Sequence, residues 1–371
     1  MPSGWSATTL GRLIALQRGF DLPTVRRRPG PYPVLSSGGV SGWHDSGPVP
    51  GSGLAIGRAA NLGVPVWSDG DYWPLNTTLF VSDFRGNEPR FVYYLLQQLD
   101  LSGYNSGSVQ PMLNRNYVSS VPLVVPGQTE QRRIAQTLRS LDDKIESNRR
   151  TINTCAALLD ATASSLALEL DSVPLSALAA PLRDAFDPSA LGAELIDHFS
   201  IPAFDALGLP DRTSGASVIS AKLRFDQPSV LVSRLNPATN RTWFAVSEPG
   251  VTAGCSTEFL VLRPKPRVTL GSLWLAVRDE GFRSLLRQRA TGTSGSHQRV
   301  RPQDALATEV PDVRQLRPAE AQAADELLWL MHQRRIESTR LGTLRGALLP
   351  ELLSGRIRVP EAGEAVESAL A

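Results

Sequence analysis

One long run of heptad-spaced apolar residues dominates the pattern of this chain. From Gln128 to Val173 there is neither proline nor glycine, and apolar positions recur at alternating spacings of four and three. These positions are Ile134, Leu138, Leu141, Ile145, Asn148, Ile152, Cys155 and Leu159, of which only Asn148 is polar. The pattern predicts a helix of about 43 residues, roughly 65 Å long, with a coiled-coil seam. Such a helix cannot be buried in one small domain, so it must pair with another.

The partner that we predict is a second helix near the C-terminus. Adding 189 to the seam positions from Leu138 to Leu159 gives Leu327, Leu330, Arg334, Glu337, Leu341, Leu344 and Leu348. If Arg334 and Glu337 lie opposite Asn148, they fix the register of the pair at some cost in stability. The alternative is two unrelated amphipathic helices that each pack on their own domain. The predicted helix-pair seam consists of Ile134, Leu138, Leu141, Ile145, Ile152, Leu159, Leu327, Leu330, Leu341, Leu344 and Leu348.

Short β-like runs, punctuated by glycine, proline and serine, precede each long helix. The predicted strands are 33–36, 54–57, 64–67 and 78–81 in the first stretch, and 217–220, 230–233, 243–246 and 258–262 in the second. The predicted shorter helices span 90–96 and 270–290. We therefore expect an α/β (α+β) fold with two modules, 1–127 and 174–315. Two long helices, 128–173 and 316–357, would separate them as an antiparallel coiled coil, followed by a disordered tail over 358–371.

The chain also repeats itself in sequence. Ser106-Gly107-Ser108-Val109-Gln110 returns 188 residues later as Ser294-Gly295-Ser296-His297-Gln298. Lys144-Ile145-Glu146-Ser147 returns as Arg335-Ile336-Glu337-Ser338. A duplicated module, each copy followed by a long helix, indicates a pseudo-two-fold internal repeat that presents two similar surfaces. We expect these surfaces to read two separated sites on one ligand.

Composition narrows the class of protein. A chain of 371 residues exceeds what one hydrophobic core usually supports, and no run of 18 apolar residues exists. The start of the chain has no signal-peptide pattern, and Cys155 and Cys255 lack neighbours at ligand spacing, so we expect a cytoplasmic protein without structural metal or disulfides. The formal charge is only +2, and no segment is polybasic. Binding to nucleic acid would therefore depend on individually placed side chains and on a partner's charge.

No motif of an active centre is present. A phosphate-binding P-loop needs Gly-Lys before Ser or Thr, but Lys144, Lys222 and Lys265 follow Asp, Ala and Pro. Neither a dinucleotide fingerprint nor the Asn/Asp-Pro-Pro-Tyr/Phe motif of amino-methyltransferases occurs. The four histidines are scattered, and none has a sequence-close carboxylate pairing that suggests a triad or a metal site. We expect a non-catalytic protein that binds no cofactor and no metal.

In both modules an arginine and an asparagine closely follow the end of a predicted strand. Arg58 and Asn61 follow the strand at 54–57, and Arg234 and Asn236 follow the strand at 230–233. These side chains suit the edges of guanine and adenine, although an ordinary hairpin turn is the competing interpretation. The Ser-Gly-Ser-x-Gln loops offer hydroxyls and backbone amides to phosphates, and the second lies beside the densest local group of arginines. That group consists of Arg283, Arg287, Arg289, Arg299 and Arg301.

Taken in order, these segments resemble the DNA sequence-specificity subunit of type I restriction-modification systems. The resemblance is carried by 17–23, 32–39, 76–79 and 130–146 in the first half, and by 199–205, 233–237, 256–259, 292–299 and 348–355 in the second. No single motif is decisive; their order and the duplication are. Arg334 and Glu337 depart from the family pattern because they interrupt the seam.

The resemblance implies a function. Members have two target-recognition domains that each read half of a bipartite site in double-stranded DNA, with the two long helices as a spacer. They dock two copies of the modification (methyltransferase) subunit, which bind S-adenosylmethionine, and recruit an ATP-driven, Mg-dependent restriction subunit. The candidate DNA-binding residues are Arg18, Ser36, Ser37, Arg58, Asn61, Asn76, Thr77, Ser108, Lys222, Arg234, Asn236, Ser256, Thr257, Ser294, Ser296, His297, Gln298 and Arg299.

Two other functions compete with this one. The chain could be a self-contained DNA methyltransferase or nuclease with fused specificity domains, although the cofactor motifs are missing. It could also be a coiled-coil scaffold for protein interactions, with no role at DNA.

Overall fold

The computed structural model describes residues 2–106, 111–292 and 298–370. Ser108, Ser294, Ser296 and His297, predicted to contact DNA, lie outside the described residues. The chain divides into two compact units, Met1–Lys144 with Leu341–Ala371, and Ile145–Arg340. Both boundaries fall inside the long helices, so each unit holds one module and half of each helix. Among the described residues, no helix is long and apolar enough to cross a membrane.

The first module consists of short strands around one longer helix. In chain order its elements are β1 (Trp5–Thr9), α1 (Leu10–Leu13), β2 (Ala15–Arg18), β3 (Tyr32–Ser36), β4 (Gly39–His44), β5 (Gly53–Gly57), β6 (Pro65–Ser68), β7 (Trp73–Pro74), β8 (Thr78–Asp83), α2 (Pro89–Gln98), β9 (Asn105–Ser106), β10 (Met112–Leu113), α3 (Arg115–Val118) and β11 (Pro122–Pro126). The main sheet has the order β2-β8-β5-β6 and is antiparallel throughout. A three-stranded sheet β4-β3-β7 packs beside it, and Leu35, Ala55, Tyr72 and Phe80 form a buried cluster.

The second module repeats this plan. After α4 (Gln128–Glu169) come β12 (Ser172–Pro174), α5 (Leu175–Leu178), β13 (Ala179–Leu182), β14 (Ala185–Phe186), β15 (Leu195–Phe199), α6 (Ile201–Ala206), β16 (Asp211–Ser214), β17 (Lys222–Phe225), β18 (Ser229–Ser233), β19 (Thr242–Ala245), β20 (Thr252–Ser256), β21 (Phe259–Pro264), α7 (Leu270–Arg278), α8 (Glu280–Gln288), α9 (Pro302–Leu306) and β22 (Glu309–Pro311). The last elements are α10 (Pro318–Ser354) and α11 (Val359–Leu370).

The two modules share a sheet topology, which confirms the predicted internal repeat. The order β13-β21-β18-β19 matches β2-β8-β5-β6 strand for strand, and the pair β12-β22 matches β1-β11. The second sheets differ, since β14-β17-β20-β15-β16 has five strands where the first module has three. The duplication therefore conserves the main sheet and varies the elements beside it.

Within each unit, half of α4 shares the core with half of α10. In the second unit the C-terminal half of α4 contributes Cys155 and Leu159 to the same buried cluster as Leu328 and Met331, near the start of α10. In the first unit the N-terminal half of α4 buries the seam residues Ile134, Leu138 and Leu141, and the end of α10 buries Leu341 and Leu348. The start of one helix thus belongs with the end of the other. The predicted antiparallel pair, and the fold class with it, is confirmed.

The seam of α10 lies one position away from the predicted one over its first half. Ala324, Leu328 and Met331 are buried, whereas the predicted Leu327 and Leu330 are only partly buried against the same cluster. The predicted Ile145, Ile152 and Leu344 are likewise half-buried. A register copied from the first helix by a constant shift cannot anticipate this difference, because the buried face of each helix depends on the residues that pack against it.

The polar seam positions are held in different ways. Asn148 is buried, and its amide nitrogen has no hydrogen-bond partner among the described residues. The Arg334 Nη1 donates to Glu337 Oε2 at 2.6 Å within α10, so opposite charges three residues apart compensate one another. Their predicted opposition to Asn148 stays a prediction.

An ion-paired network joins three helices of the first unit. The Tyr94 hydroxyl of α2 donates to Asp142 Oδ2 of α4 at 2.7 Å, and Arg345 Nε of α10 lies 2.5 Å from Asp142 Oδ1. Arg345 Nη2 also donates to Gln97 Oε1 at 2.8 Å. Burial raises the pKa of Tyr94, and the negative charge of Asp142 raises it further. The network fixes the two long helices to the first module.

Three predicted elements are wrong, each because of local polar contacts or burial. Residues 217–220 are no strand, since the Ser217 hydroxyl bonds to Ser214 O in a local turn and the strand β17 begins only at Lys222. The helix predicted over 270–290 is two helices, because Asp279 leaves helical geometry and its carboxylate accepts from Phe282 N at 3.0 Å as an N-cap.

The third predicted element that is wrong is the C-terminal tail. The segment predicted to be disordered from 358 onwards contains α11, a 12-residue helix with Ala362 and Val366 buried four residues apart on one face. The alanine and glutamate residues of this segment favour a helix once that face is covered.

Removing the Arg345 guanidinium should destabilise the first unit. Arg345→Ala leaves the half-buried Asp142 carboxylate with one fewer partner, at an expected cost of about 1–3 kcal/mol in the free energy of unfolding. Arg149→Ala is the matched control, because Arg149 pairs with Glu146 on the exposed face of α4, and such pairs contribute close to nothing. Urea unfolding of both variants measures the difference; equal midpoints would show that the network does not stabilise the unit.

Candidate nucleic-acid interface

The predicted residues of the first module gather where several strands end. Arg18 closes β2, Ser36 closes β3, Arg58 follows β5, and Asn76 and Thr77 precede β8. The pairing brings these ends together, since Arg18 pairs in register with Leu79, and Gly57 with Thr78. We call this the first edge, defined by Arg18, Ser36, Ser37, Arg58, Asn61, Asn76 and Thr77.

Of the two arginines at the first edge, Arg58 has the side chain with fewer polar contacts. Its backbone N–H donates to Thr77 O at 2.8 Å, and its carbonyl accepts from Leu113 N at 2.9 Å. Its half-buried side chain makes no hydrogen bond or ion pair with any residue that the structure describes. The exposed Asn61 lies near Gly38 in the turn after β3. Both predicted base-reading side chains therefore stand on one surface.

Other members of the first edge hold the loops. The Ser36 hydroxyl donates to Gly39 O at 2.9 Å and accepts from Gly38 N, which forms the turn between β3 and β4. The Asn76 amide bonds to Asp21, whose carboxylate lies 3.9 Å from Arg18 Nη2. These residues form the framework around Arg58 and Asn61.

The predicted residues of the second module gather at the corresponding place. Arg234 follows β18, Ser256 closes β20, and Thr257 precedes β21. Asn236 N donates to Gln298 O at 2.9 Å, and Leu235 forms a bridge with Arg299. We call this the second edge, defined by Arg234, Asn236, Ser256, Thr257, Gln298 and Arg299.

The two edges share one backbone arrangement. Arg234 N donates to Glu258 O at 2.8 Å and Arg234 O accepts from Val300 N at 3.1 Å, as Arg58 does with Thr77 and Leu113. The residue two positions after each arginine is left-handed, Ala60 with φ 62° and Asn236 with φ 48°. Asparagine tolerates this conformation better than alanine. Arg58 and Arg234 are thus structurally equivalent.

Charge at the second edge is largely paired. Arg299 Nη2 lies 2.9 Å from Glu258 Oε1, and the Arg299 Nε donates to the same carboxylate. Hydrogen bonding to Glu258 raises the pKa of Arg299. The Arg299 side chain remains 47% exposed, so it can exchange Glu258 for a phosphate.

Lys222 is a predicted DNA-binding residue that the structure places inside the module. It is 5% exposed, and its ammonium donates to Ser220 O at 2.8 Å and to the Ser220 hydroxyl. Burial lowers the pKa of Lys222. Although Lys222 pairs in register with Ser256, its side chain stabilises the loop before β17.

Two more arginines lie at the second edge: Arg183, which the sequence did not indicate, and Arg301, which belongs to the predicted arginine group but not to the predicted DNA-binding residues. Arg183 and Arg301, both exposed, line a cavity of about 490 Å³ together with Arg234 and Thr257. Arg183 follows β13, and Arg301 caps α9. The density of arginine in the sequence around Arg299 indicated Arg301, whereas no signal in the sequence points to Arg183. The other arginines of that group are engaged, since Arg283 and Arg287 pair with Glu280 and Arg289 donates to Asp304 O.

No group of three or more His, Cys, Asp or Glu residues within the described part of the chain is arranged to hold a metal ion.

Comparison with known proteins gives a family match that includes the first module. Residues 2–155 match the family described as type I restriction modification DNA specificity domain. The chain is similar in structure to the S subunit of a type I restriction-modification system from M. genitalium, at 16% sequence identity and a TM-score of 0.71. That match covers 94% of this chain and 96% of the other. No curated protein matches the chain in sequence.

Two further structures match at lower similarity. One is an HsdS subunit from Thermoanaerobacter tengcongensis, with 16% identity, a TM-score of 0.33 and coverage of 96% of this chain and 98% of that one. The other comes from work on complex assembly and conformational transition of the type I R-M system, with 14% identity, a TM-score of 0.38 and coverage of 95% and 98%.

The match of residues 2–155 to the type I restriction modification DNA specificity family confirms the predicted resemblance. The fold shared with the M. genitalium subunit extends over nearly the whole chain.

The shape of the first edge should depend on Gly57. A Cβ there would lie 1.8 Å from Asn61 O, so Gly57→Ala forces the loop between Arg58 and Asn61 to move. We expect a loss of about 1–3 kcal/mol in unfolding free energy. Gly38→Ala, in the neighbouring turn, meets its nearest atom only at 3.8 Å and should change stability by less than about 0.5 kcal/mol. Thermal melting compares the two; equally stable variants would show that the loop tolerates the added atom.

Proposed function

We propose that this chain is the non-catalytic DNA specificity subunit of a type I restriction-modification complex, in which each edge reads one half of a bipartite site. The observation that carries the proposal is the equivalence of Arg58 and Arg234. Each follows the equivalent strand of the main sheet in its own module, β5 or β18, and makes the equivalent pair of backbone hydrogen bonds. The family match of residues 2–155 supports DNA as the ligand of the first edge.

Arginine guanidinium groups would make the contacts with DNA. Arginine presents paired N–H donors that match the O6 and N7 of guanine or two phosphate oxygens. Arg58 stands on the first edge, and Arg183, Arg234, Arg299 and Arg301 stand on or beside the second. Because the formal charge of the chain is only +2, most of the electrostatic affinity for DNA would come from a partner.

The partners follow from the same proposal. Two copies of the modification (methyltransferase) subunit would bind the chain and supply S-adenosylmethionine, and a restriction subunit would supply ATP-driven translocation and Mg-dependent cleavage. The chain itself would hold no cofactor and act in the cytoplasm. The long helices would separate the two recognition domains and set the number of unread base pairs between the half-sites, comparable to one turn of DNA, roughly 34 Å.

Selection from a random duplex pool tests the reading of DNA. The chain is assembled with its modification subunit, and bound duplexes are sequenced. We expect two short specified blocks separated by a constant unspecified gap, with affinity that falls steeply as salt rises. A single continuous block would contradict reading by two domains.

The same preparation separates the rival functions. Methyl transfer to DNA by the purified chain alone, with S-adenosylmethionine, would establish a self-contained enzyme. Absence of duplex binding, with or without the modification subunit, would favour a protein-interaction scaffold, whereas duplex binding that falls steeply with salt would exclude it.

Lengthening the helices tests the spacer. Seven residues inserted into the exposed middle of α4 and of α10 preserve the heptad phase and extend the pair by about 10 Å, or about three base pairs. We expect the selected gap to lengthen while both specified blocks stay the same. An unchanged gap in a folded, DNA-binding variant would refute the spacer role.

A further inference from the structure

The two equivalent arginines differ in what their side chains touch. The Arg58 guanidinium has no partner among the described residues. The Arg234 guanidinium donates from Nη1 to Val300 O at 3.4 Å and from Nη2 to Thr257 O. Both terminal nitrogens of Arg234 therefore already donate to backbone carbonyls, and a guanine that paired with both of them would compete with these contacts.

The residue opposite each arginine differs as well. Where the first edge has Thr77, the second has Glu258, whose carboxylate favours a cation nearby and is itself paired with Arg299. Burial lowers the pKa of Arg234, so the surroundings have desolvated this guanidinium. An arginine in such a position joins two chain segments, at Thr257 and at Val300, that are distant in sequence.

Two other arginines are free at the same place. Arg183 and Arg301 line the cavity beside Arg234, are exposed, and make no side-chain hydrogen bond or ion pair within the described residues. Thr257 lines the same cavity; Arg183 follows β13 and Arg301 precedes α9. Their guanidinium groups can meet phosphates without breaking any bond that the structure shows.

We infer that the equivalent arginines have different tasks: Arg58 reads a base in the first half-site, whereas Arg234 is a positioning residue that joins the loops of the second edge. The contact with DNA at this end of the second domain then falls to Arg183 and Arg301, which bind phosphates. This inference rests on the proposed function, because it assigns tasks within the two edges that are proposed to bind DNA.

The experiment uses the chain with its modification subunit and the duplex that the wild-type complex selects. Arg58→Ala should weaken binding by roughly 5- to 140-fold and leave the melting temperature unchanged. Its effect should vanish on a duplex whose first half-site is scrambled. Arg234→Ala should lower the melting temperature of the chain without DNA, and the slope of log affinity against log salt should stay at the wild-type value.

The remaining variants separate positioning from contact. Arg234→Lys should recover part of the lost melting temperature, because an ammonium also donates to carbonyls, while Arg58→Lys should not recover base discrimination. The double variant Arg183→Ala/Arg301→Ala should reduce the salt slope by about two at unchanged melting temperature.

Three results would overturn the inference. They are an Arg234→Ala variant with unchanged melting and a reduced salt slope, an Arg58→Ala variant with unchanged affinity, and a double variant with an unchanged slope. A wild-type complex that selects no sequence would instead overturn the proposed function and leave nothing for these variants to measure.

Discussion

The structure depends on covering the apolar stripe of α4 along 42 residues. A helix of that length presents more apolar surface than one module of this size can bury, so its two halves are buried in different units. Its N-terminal half shares a unit with the end of α10, and its C-terminal half shares a core with the start of α10. Antiparallel pairing is the arrangement in which the apolar stripes of α4 and α10 are both buried.

Polar contacts then fix each module to its part of the helices. In the first unit Asp142 of α4 is bound by Tyr94 and Arg345. In the second, Asp160 of α4 forms a two-bond pair with Arg278 of α7, at 2.6 and 3.1 Å. In each unit a carboxylate of α4 is thus bound by an arginine. Since a two-bond arginine–carboxylate pair has a fixed geometry, it orients the module as well as holding it.

Duplication has preserved the backbone of the edges and changed their side chains. The bonds around Arg58 and Arg234 are the same, because they complete the ladder of the main sheet in each module. The side chains that face the arginines are free of that constraint, and Thr77 and Glu258 differ in charge. Similar frames can therefore carry different surfaces, as the proposed reading of two different half-sites would require.

The sequence alone determined the heptad helices, the repeat and most strands, because each of these depends on a local period that the residues display directly. It did not determine where 270–290 breaks or that the tail folds, since a capping carboxylate and a covered face decide those points. Nor could it separate Arg58 from Arg234, which occupy the same place in the repeat. Only the tertiary structure decided that Thr257 and Val300 occupy one guanidinium and leave the other open, because those partners lie 23 and 66 residues away in the chain.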